Sequence, residues 1–167
     1  MSDIQNLTHE AGKAKLKDLI EDISICLFTT NLSQIPLSAR PMATSEIDNE
    51  GNLWFISKDG SDKNIDINQD NRVQLFYSKN NAAEYLSVYG EATIIKGDQQ
   101  KIEKYWSAMA NNWFDGKDDP SITLIKVVPK DSYYWDTQNN RFISFTKLIV
   151  GSITGNGAEV GVKGEIA

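Results

Sequence analysis

The chain contains one cysteine, Cys26, and one histidine, His9. A single thiol cannot form an internal disulfide, and there are too few soft ligands for a zinc cluster, so no metal site is expected. Cys26 lies in the apolar run ISICLF, where a free cysteine acts as a small hydrophobe. His9 lies in a polar segment and is expected to be solvated. Ser-His-Asp or Cys-His catalysis needs a base within hydrogen-bond reach of the nucleophile. Two such isolated residues argue against covalent hydrolysis.

Other signals are absent too. Neither G-x-G-x-x-G after a strand nor G-x-x-x-x-G-K-[ST] occurs, so any phosphate site must be built without the common glycine-rich cradles. No run of about 18 apolar residues is present, and MSDIQNLTHEAGK lacks a basic start followed by an apolar stretch. The expectation is a cytoplasmic chain with no membrane partner. Lysine and arginine number 17 against 23 aspartates and glutamates, a net charge of -6. That balance works against nucleic-acid binding, which matches cations to phosphates, but leaves room for a small basic pocket.

With 40% apolar and 24% charged residues over 167 positions, the composition is that of a globular protein with one sizeable core. Leu16, Leu19, Ile20 and Ile23 recur at helical spacing, with Thr8 placed to cap, which predicts an amphipathic helix over 8–22. ISICLFTT predicts a central strand covered on both faces. LSARPMATSEI and NLWFIS, joined by DNEG, predict a hairpin, with Pro41 placing the chain near Arg40 at an edge or an irregularity. RVQLFYS is a further strand. EYLSVYGEATII alternates with a period of two, and Gly90 within it suggests a bulge or a close approach to the backbone. Asp98 caps a predicted helix with Ile102, Tyr105, Trp106 and Met109 on one face. SITLIKVVPKDSYYWD and NRFISF read as the last strands, with TQNN as their turn. Successive hairpins without βαβ alternation favour an antiparallel sheet closed into a small barrel.

Arg40 stands among small and apolar neighbours in SARPMAT, where a guanidinium needs an anionic or planar partner. Lys63 follows DGSD at a predicted helix start, with hydroxyls at Ser57 and Ser61 nearby. Two readings are open: a phosphate site, or solvated cations beside a capped surface turn. The aromatics Trp113 and Phe114 fall among turn formers in NNWFDGKDDP, a placement that suits a cover for a planar ligand or a partner subunit. Asp118 and Asp119 ahead of Pro120 read as turn or cap residues.

Taken in order, RPMAT, LWFIS, the S-D-K break, Y-x-S-V-x-G-x-A, the YW helix, WF-x-G-x-DDP and a late YWD resemble the general stress protein branch of the pyridoxamine 5'-phosphate oxidase family, from about residue 8 to residue 150. The resemblance implies a mainly β fold, a six-stranded antiparallel FMN-binding split β-barrel with flanking helices over 1–150, followed by a glycine-rich tail over 151–167. It implies a homodimer with flavin at the interface. On this likeness Arg40 and Lys63 neutralise the FMN phosphate near Ser57 and Ser61. Arg40, Pro41, Met42 and Ala43, with Trp54, Phe55, Ile56 and Ser57, line the ring edge through backbone groups. Ser87 and Gly90 approach from the partner chain, and Trp106 and Trp113 close the site.

The expected function is a flavin-dependent oxidoreductase acting on an unidentified small molecule; the alternative is a flavin-binding or stress-protective protein without turnover. SDK stands where pyridoxamine phosphate oxidases carry S-R-K, and their C-terminal arginine and histidine signature is missing, so vitamin B6 oxidation is not expected.

Overall fold

The computed structural model describes residues 9–79, 84–136 and 163–166. Helix α1, His9–Ile23, buries Leu16, Leu19 and Ile20, the stripe that its sequence spacing indicates. It ends at Ser24, whose positive φ of 56° lets its N–H reach back to the Ile20 carbonyl. The strands follow as β1 (Ile25–Thr30), β2 (Ser38–Ala43), β3 (Glu46–Ile47) and β4 (Leu53–Lys58). Helix α2 (Asp62–Gln69) comes next, then β5 (Arg72–Lys79), β6 (Glu84–Lys96), helix α3 (Gln99–Tyr105), a 3₁₀ turn (Ala108–Asn112), β7 (Ile122–Asp136) and β8 (Lys163–Ile166).

All pairings are antiparallel, in the order β2-β1-β5-β6-β7-β4-β3, and β8 pairs with the far half of β7. The fold is a mainly β split barrel with flanking helices, with eight strands among the described residues where six were expected. β3 has only two residues and comes from the splitting of an expected strand, and β8 has four within the expected tail. The expected strand NRFISF and turn TQNN lie outside the described residues, as does Thr8.

The strand expected over 37–47 is instead two strands. Thr44 and Ser45 form a bend, where the Thr44 N–H donates to the Ser24 carbonyl and the Ser45 N–H to the Trp54 carbonyl. Only β3 continues into the hairpin with β4, while β2 pairs with β1. The two edges of the sheet, β2 and β3, are therefore neighbours in sequence, and the sheet curls until they meet at this bend. Beyond it β2 and β4 face each other without ladder bonds. That opening is the split, and Pro41 lies on its free rim, where a missing N–H is tolerated.

Inside the barrel, Phe28, Phe55, Val73, Leu75, Tyr77, Leu86, Val88, Ile125, Val127 and Tyr134 form the main core, with α1 and Ile67 of α2 against it. A second cluster lies outside the barrel wall, where Trp54, Ile122 and Leu124 pack under Ile102 and Tyr105 of α3. The Trp54 and Tyr105 rings stack at 4.1 Å. Helix α3 is shorter than expected, since the chain turns extended at Trp106. Met109 therefore belongs to the 3₁₀ turn and not to an α3 face.

Only part of the outer wall is covered. Across β2, β1, β5, β6 and β7, the residues Pro41, Leu27, Phe76, Ser87 and Tyr133 stand in one cross-strand row. Leu27 is 50% and Phe76 45% exposed, so β1 is central in the sheet yet open on one face within the chain. The expectation of a strand covered on both faces is not met by one copy alone.

Gly90 sits where the β6–β7 register shifts, the bulge its sequence position suggests. A Cβ there would lie 2.6 Å from the Val128 carbonyl oxygen. Gly90→Ala is expected to lower stability by about 1 to 3 kcal/mol, the usual range for overpacking. Urea unfolding midpoints at constant m-value measure this, and an unchanged midpoint would show that β7 can yield at the bulge.

Candidate functional site

A cleft of about 420 Å³ occupies the split. Arg40, Pro41, Met42 and Ala43 of β2 form one wall, and Ile56, Ser57 and Lys58 of β4 the other. Lys63 enters from α2, while Met109, Ala110, Trp113 and Phe114 close the side next to α3. The lining combines the cations Arg40, Lys58 and Lys63 with apolar and aromatic side chains. A planar ligand with an anionic tail fits this combination.

Helix α2 positions Lys63. It follows β4 after a three-residue turn and packs against β1 and β6, anchored by buried Ile67 and by buried Asn64. Asn64 accepts a hydrogen bond from Ser57 Oγ at 2.7 Å and donates Nδ2 to Thr123 Oγ1 at 2.9 Å, tying α2 to β4 and β7. Lys63 projects from the same helix into the cleft and donates to Ser61 Oγ at 3.2 Å. Among the described residues no carboxylate lies within 4.0 Å of its ammonium group.

Arg40 reaches the same space from β2. Its Nη1 donates to Thr30 Oγ1 at 2.7 Å and to the Phe28 carbonyl at 3.3 Å, and Nη2 donates to Ser38 Oγ at 2.6 Å. Burial pulls the Arg40 guanidinium below its ordinary value, opposed by the charges of Asp66 and Asp62. Burial, and then the charge of Arg40, pull the Lys63 ammonium down as well, with Asp62 opposing. Two cations that repel each other across a half-buried cleft call for an anion between them. An oxyanion would relieve both the repulsion and the desolvation.

The other site candidates separate into groups. Trp113 is 68% exposed and lines the cleft. Trp106 lies behind the lining and meets Phe114 edge-on at 6.5 Å. Ser61 is next to the cleft through Lys63. The side chains of Trp54 and Phe55 are not at the cleft. Trp54 is held under α3 by stacking and by its Nε1–H bond to Asp48 Oδ2 at 2.8 Å, and Phe55 meets Phe28 inside the barrel at 5.1 Å. Both are buried because β4 is covered on both faces. Ser87 lies on the uncovered outer wall, where Gln74 Nε2 donates to its hydroxyl at 2.8 Å, and Gly90 is buried at the bulge. Neither lines the cleft of its own chain.

Sequence reasoning singled out Phe114 with Trp113 as a cover but missed Lys58, Met109 and the Arg40 anchors Thr30, Ser38 and Asp66. A period of two in SAR puts Ser38 and Arg40 on one face, so that one signal was present. Cys26 contributes nothing here, since burial pushes its thiol up to about 12 and its site is the core. Among the described residues no cluster of metal-ligating side chains occurs, and no helix is long and apolar enough to cross a membrane.

General stress protein 26 of Bacillus subtilis strain 168 is 40% identical over 47 residues, 28% of this chain and 33% of the relative. The match thus spans about a third of that relative's length. The crystal structure of general stress protein 26 from Bacillus anthracis strain Sterne superposes with a TM-score of 0.64 at 24% identity, over 73% of this chain and 92% of that one. A pyridoxamine 5'-phosphate oxidase-related, FMN binding protein from Nostoc punctiforme gives a TM-score of 0.58 at 14% identity, over 80% and 86%. These two likenesses establish a shared fold. The family model described as pyridoxamine 5'-phosphate oxidase like matches residues 11–159, a span that takes in β1 to β7 and the whole cleft, and the chain belongs to that family.

Proposed function

We propose that the cleft binds FMN, with its phosphate between Arg40 and Lys63 and its ring toward Trp113 and Phe114. The observation that carries this reading is that Arg40 and Lys63, from β2 and α2, line one cleft together with Met42, Ile56, Met109, Trp113 and Phe114. Arg40 and Lys63 hold the anionic group, and the exposed edges of β2 and β4 flank the ring. When bound, FMN supplies hydride and single-electron chemistry at its own ring. Among the described residues that line the cleft there is no carboxylate and no imidazole, so the part these residues play is to hold, orient and partly desolvate.

The corresponding activity is that of an FMN-dependent oxidoreductase of the general stress protein type, acting on an unidentified small molecule. The same lack of acid and base groups favours a second reading, flavin retention without turnover. The two readings are separated by stopped-flow absorbance of the FMN-loaded protein mixed with NADH or NADPH. Saturable bleaching of the flavin band supports the oxidoreductase, and its absence with every donor supports retention. A protein that stays colourless after incubation with FMN would end both readings.

The working unit in this proposal is a homodimer formed through the uncovered outer wall. A continuous apolar sheet face usually marks an interface. Ile25 and Pro41 belong both to this wall and to the cleft lining, so a partner seated on the wall reaches the cleft. Under two-fold symmetry the wall meets its own copy, giving two equivalent sites. Ser87, between Phe76 and Tyr133 in that row, then approaches the flavin of the other protomer.

A further inference from the structure

A guanidinium has five N–H groups, and Arg40 directs three of them away from the cleft, to Phe28, Thr30 and Ser38. The Thr30 hydroxyl accepts from Arg40 and donates its single proton to Asp66 Oδ2 at 2.6 Å. Asp66 therefore decides which way that hydroxyl points. Its carboxylate presents lone pairs only, so the Thr30 proton turns toward α2 and the Thr30 lone pairs turn toward Arg40. The same Asp66 oxygen stands 3.7 Å from Arg40 Nη2, within electrostatic reach but beyond a direct hydrogen bond.

We propose that Asp66, acting through Thr30, is a positioning residue that aims Arg40 so that its Nε–H and one remaining Nη2–H meet an oxyanion in the cleft. The proposal rests on the reading of the cleft as an FMN phosphate site. A direct two-pronged Arg–Asp pair would take up the fork of parallel donors that suits a phosphate. Placing a hydroxyl between the two charges fixes the guanidinium and leaves that fork available. The layout couples both cations. Asp66 lies three residues after Lys63 on α2, so docking of one helix sets the Lys63 ammonium and the Arg40 brace together.

The test compares FMN with riboflavin, which lacks the phosphate, by quenching of flavin fluorescence in titrations of the full chain. Thr30→Val, which keeps the shape and removes the hydroxyl, is expected to raise the FMN dissociation constant about tenfold and leave that of riboflavin unchanged. Thr30→Ser, which keeps the relay, restores FMN affinity. Asp66→Ala acts like Thr30→Val, and Asp66→Asn, which retains an acceptor for Thr30, stays within about threefold of the parent. Riboflavin binding reports that each variant is folded. Wild-type FMN affinity in both Thr30→Val and Asp66→Ala, alongside a weakened Arg40→Ala, overturns the relay alone. Wild-type FMN affinity in Arg40→Ala overturns the relay together with the phosphate reading beneath it.

Discussion

Replacing Arg40 or Lys63 with alanine is expected to weaken FMN binding roughly ten- to a hundredfold each, because each change removes a charge-assisted contact worth about 1.5 to 3 kcal/mol. Riboflavin binding should change little. The double variant should lose more than the product of the two single losses, since in each single variant the remaining cation is freed from its neighbour's repulsion and part of the loss is recovered. Arg40→Lys keeps the charge but loses the planar fork and the anchors at Thr30 and Ser38, so its affinity should lie between the parent and the alanine variant.

The pH dependence carries its own signs. Affinity for FMN should fall as pH drops through about 6, where a phosphate monoester takes up its second proton. It should also fall on the alkaline side, and sooner than for a free lysine, because Lys63 is held below its ordinary value. For the ligand-free protein the sign is reversed. A lysine whose folded value is lowered opposes folding while charged, and the penalty shrinks as pH rises from that lowered value and is gone above the ordinary lysine value. Lys63→Met should therefore leave the unliganded protein at least as stable as the parent, though it binds FMN worse. Thermal unfolding with and without FMN measures both effects. A loss of unliganded stability with intact FMN affinity would mark Lys63 as structural.

Placing a charge on the outer wall should have an effect of similar size by a different route. Phe76→Lys alters a residue 45% exposed in one copy, so the protomer should fold normally. In the proposed dimer the same ammonium is buried against the partner's apolar wall, a cost comparable to losing an interfacial hot spot, about 2 to 4 kcal/mol. Sedimentation velocity at micromolar concentration should show the parent as a dimer and Phe76→Lys largely as a monomer. Flavin affinity should fall with it, since a site shared between chains binds the dimer better than the monomer. Leu27→Lys, its direct cross-strand neighbour, should behave alike. A dimer that survives both changes places the interface elsewhere.

Local periodicity exposed much of this architecture. The alternation of Leu86, Val88 and Ala92 against Tyr85, Ser87 and Tyr89 is the observed division of β6 into barrel interior and outer wall. Arg40 among small and apolar neighbours and Lys63 at a helix start were candidates in the sequence, with a solvated turn equally open, and the fold brings both to one cleft. What stayed hidden depends on contacts distant in sequence. The Thr30–Asp66 bond joins residues 36 apart and exists only once α2 has docked. The bend at Thr44 and Ser45 contains no glycine or proline, and it follows from β2 pairing with β1, which no local pattern announces. Trp54 and Phe55 share one apolar run, and period two sends them to opposite faces. Only the cover of α3 over one face and the barrel over the other shows that both side chains are buried away from the cleft.

A crystal structure of the chain grown with FMN tests the central claim most directly. The account predicts one flavin in each split, its phosphate within hydrogen-bond distance of Arg40 and Lys63, its ring against β2 and β4 beside Trp113, and a second copy seated on the Leu27 and Phe76 wall. Flavin bound outside the split, or with its ring at Arg40 and Lys63 and its phosphate in solvent, would contradict it.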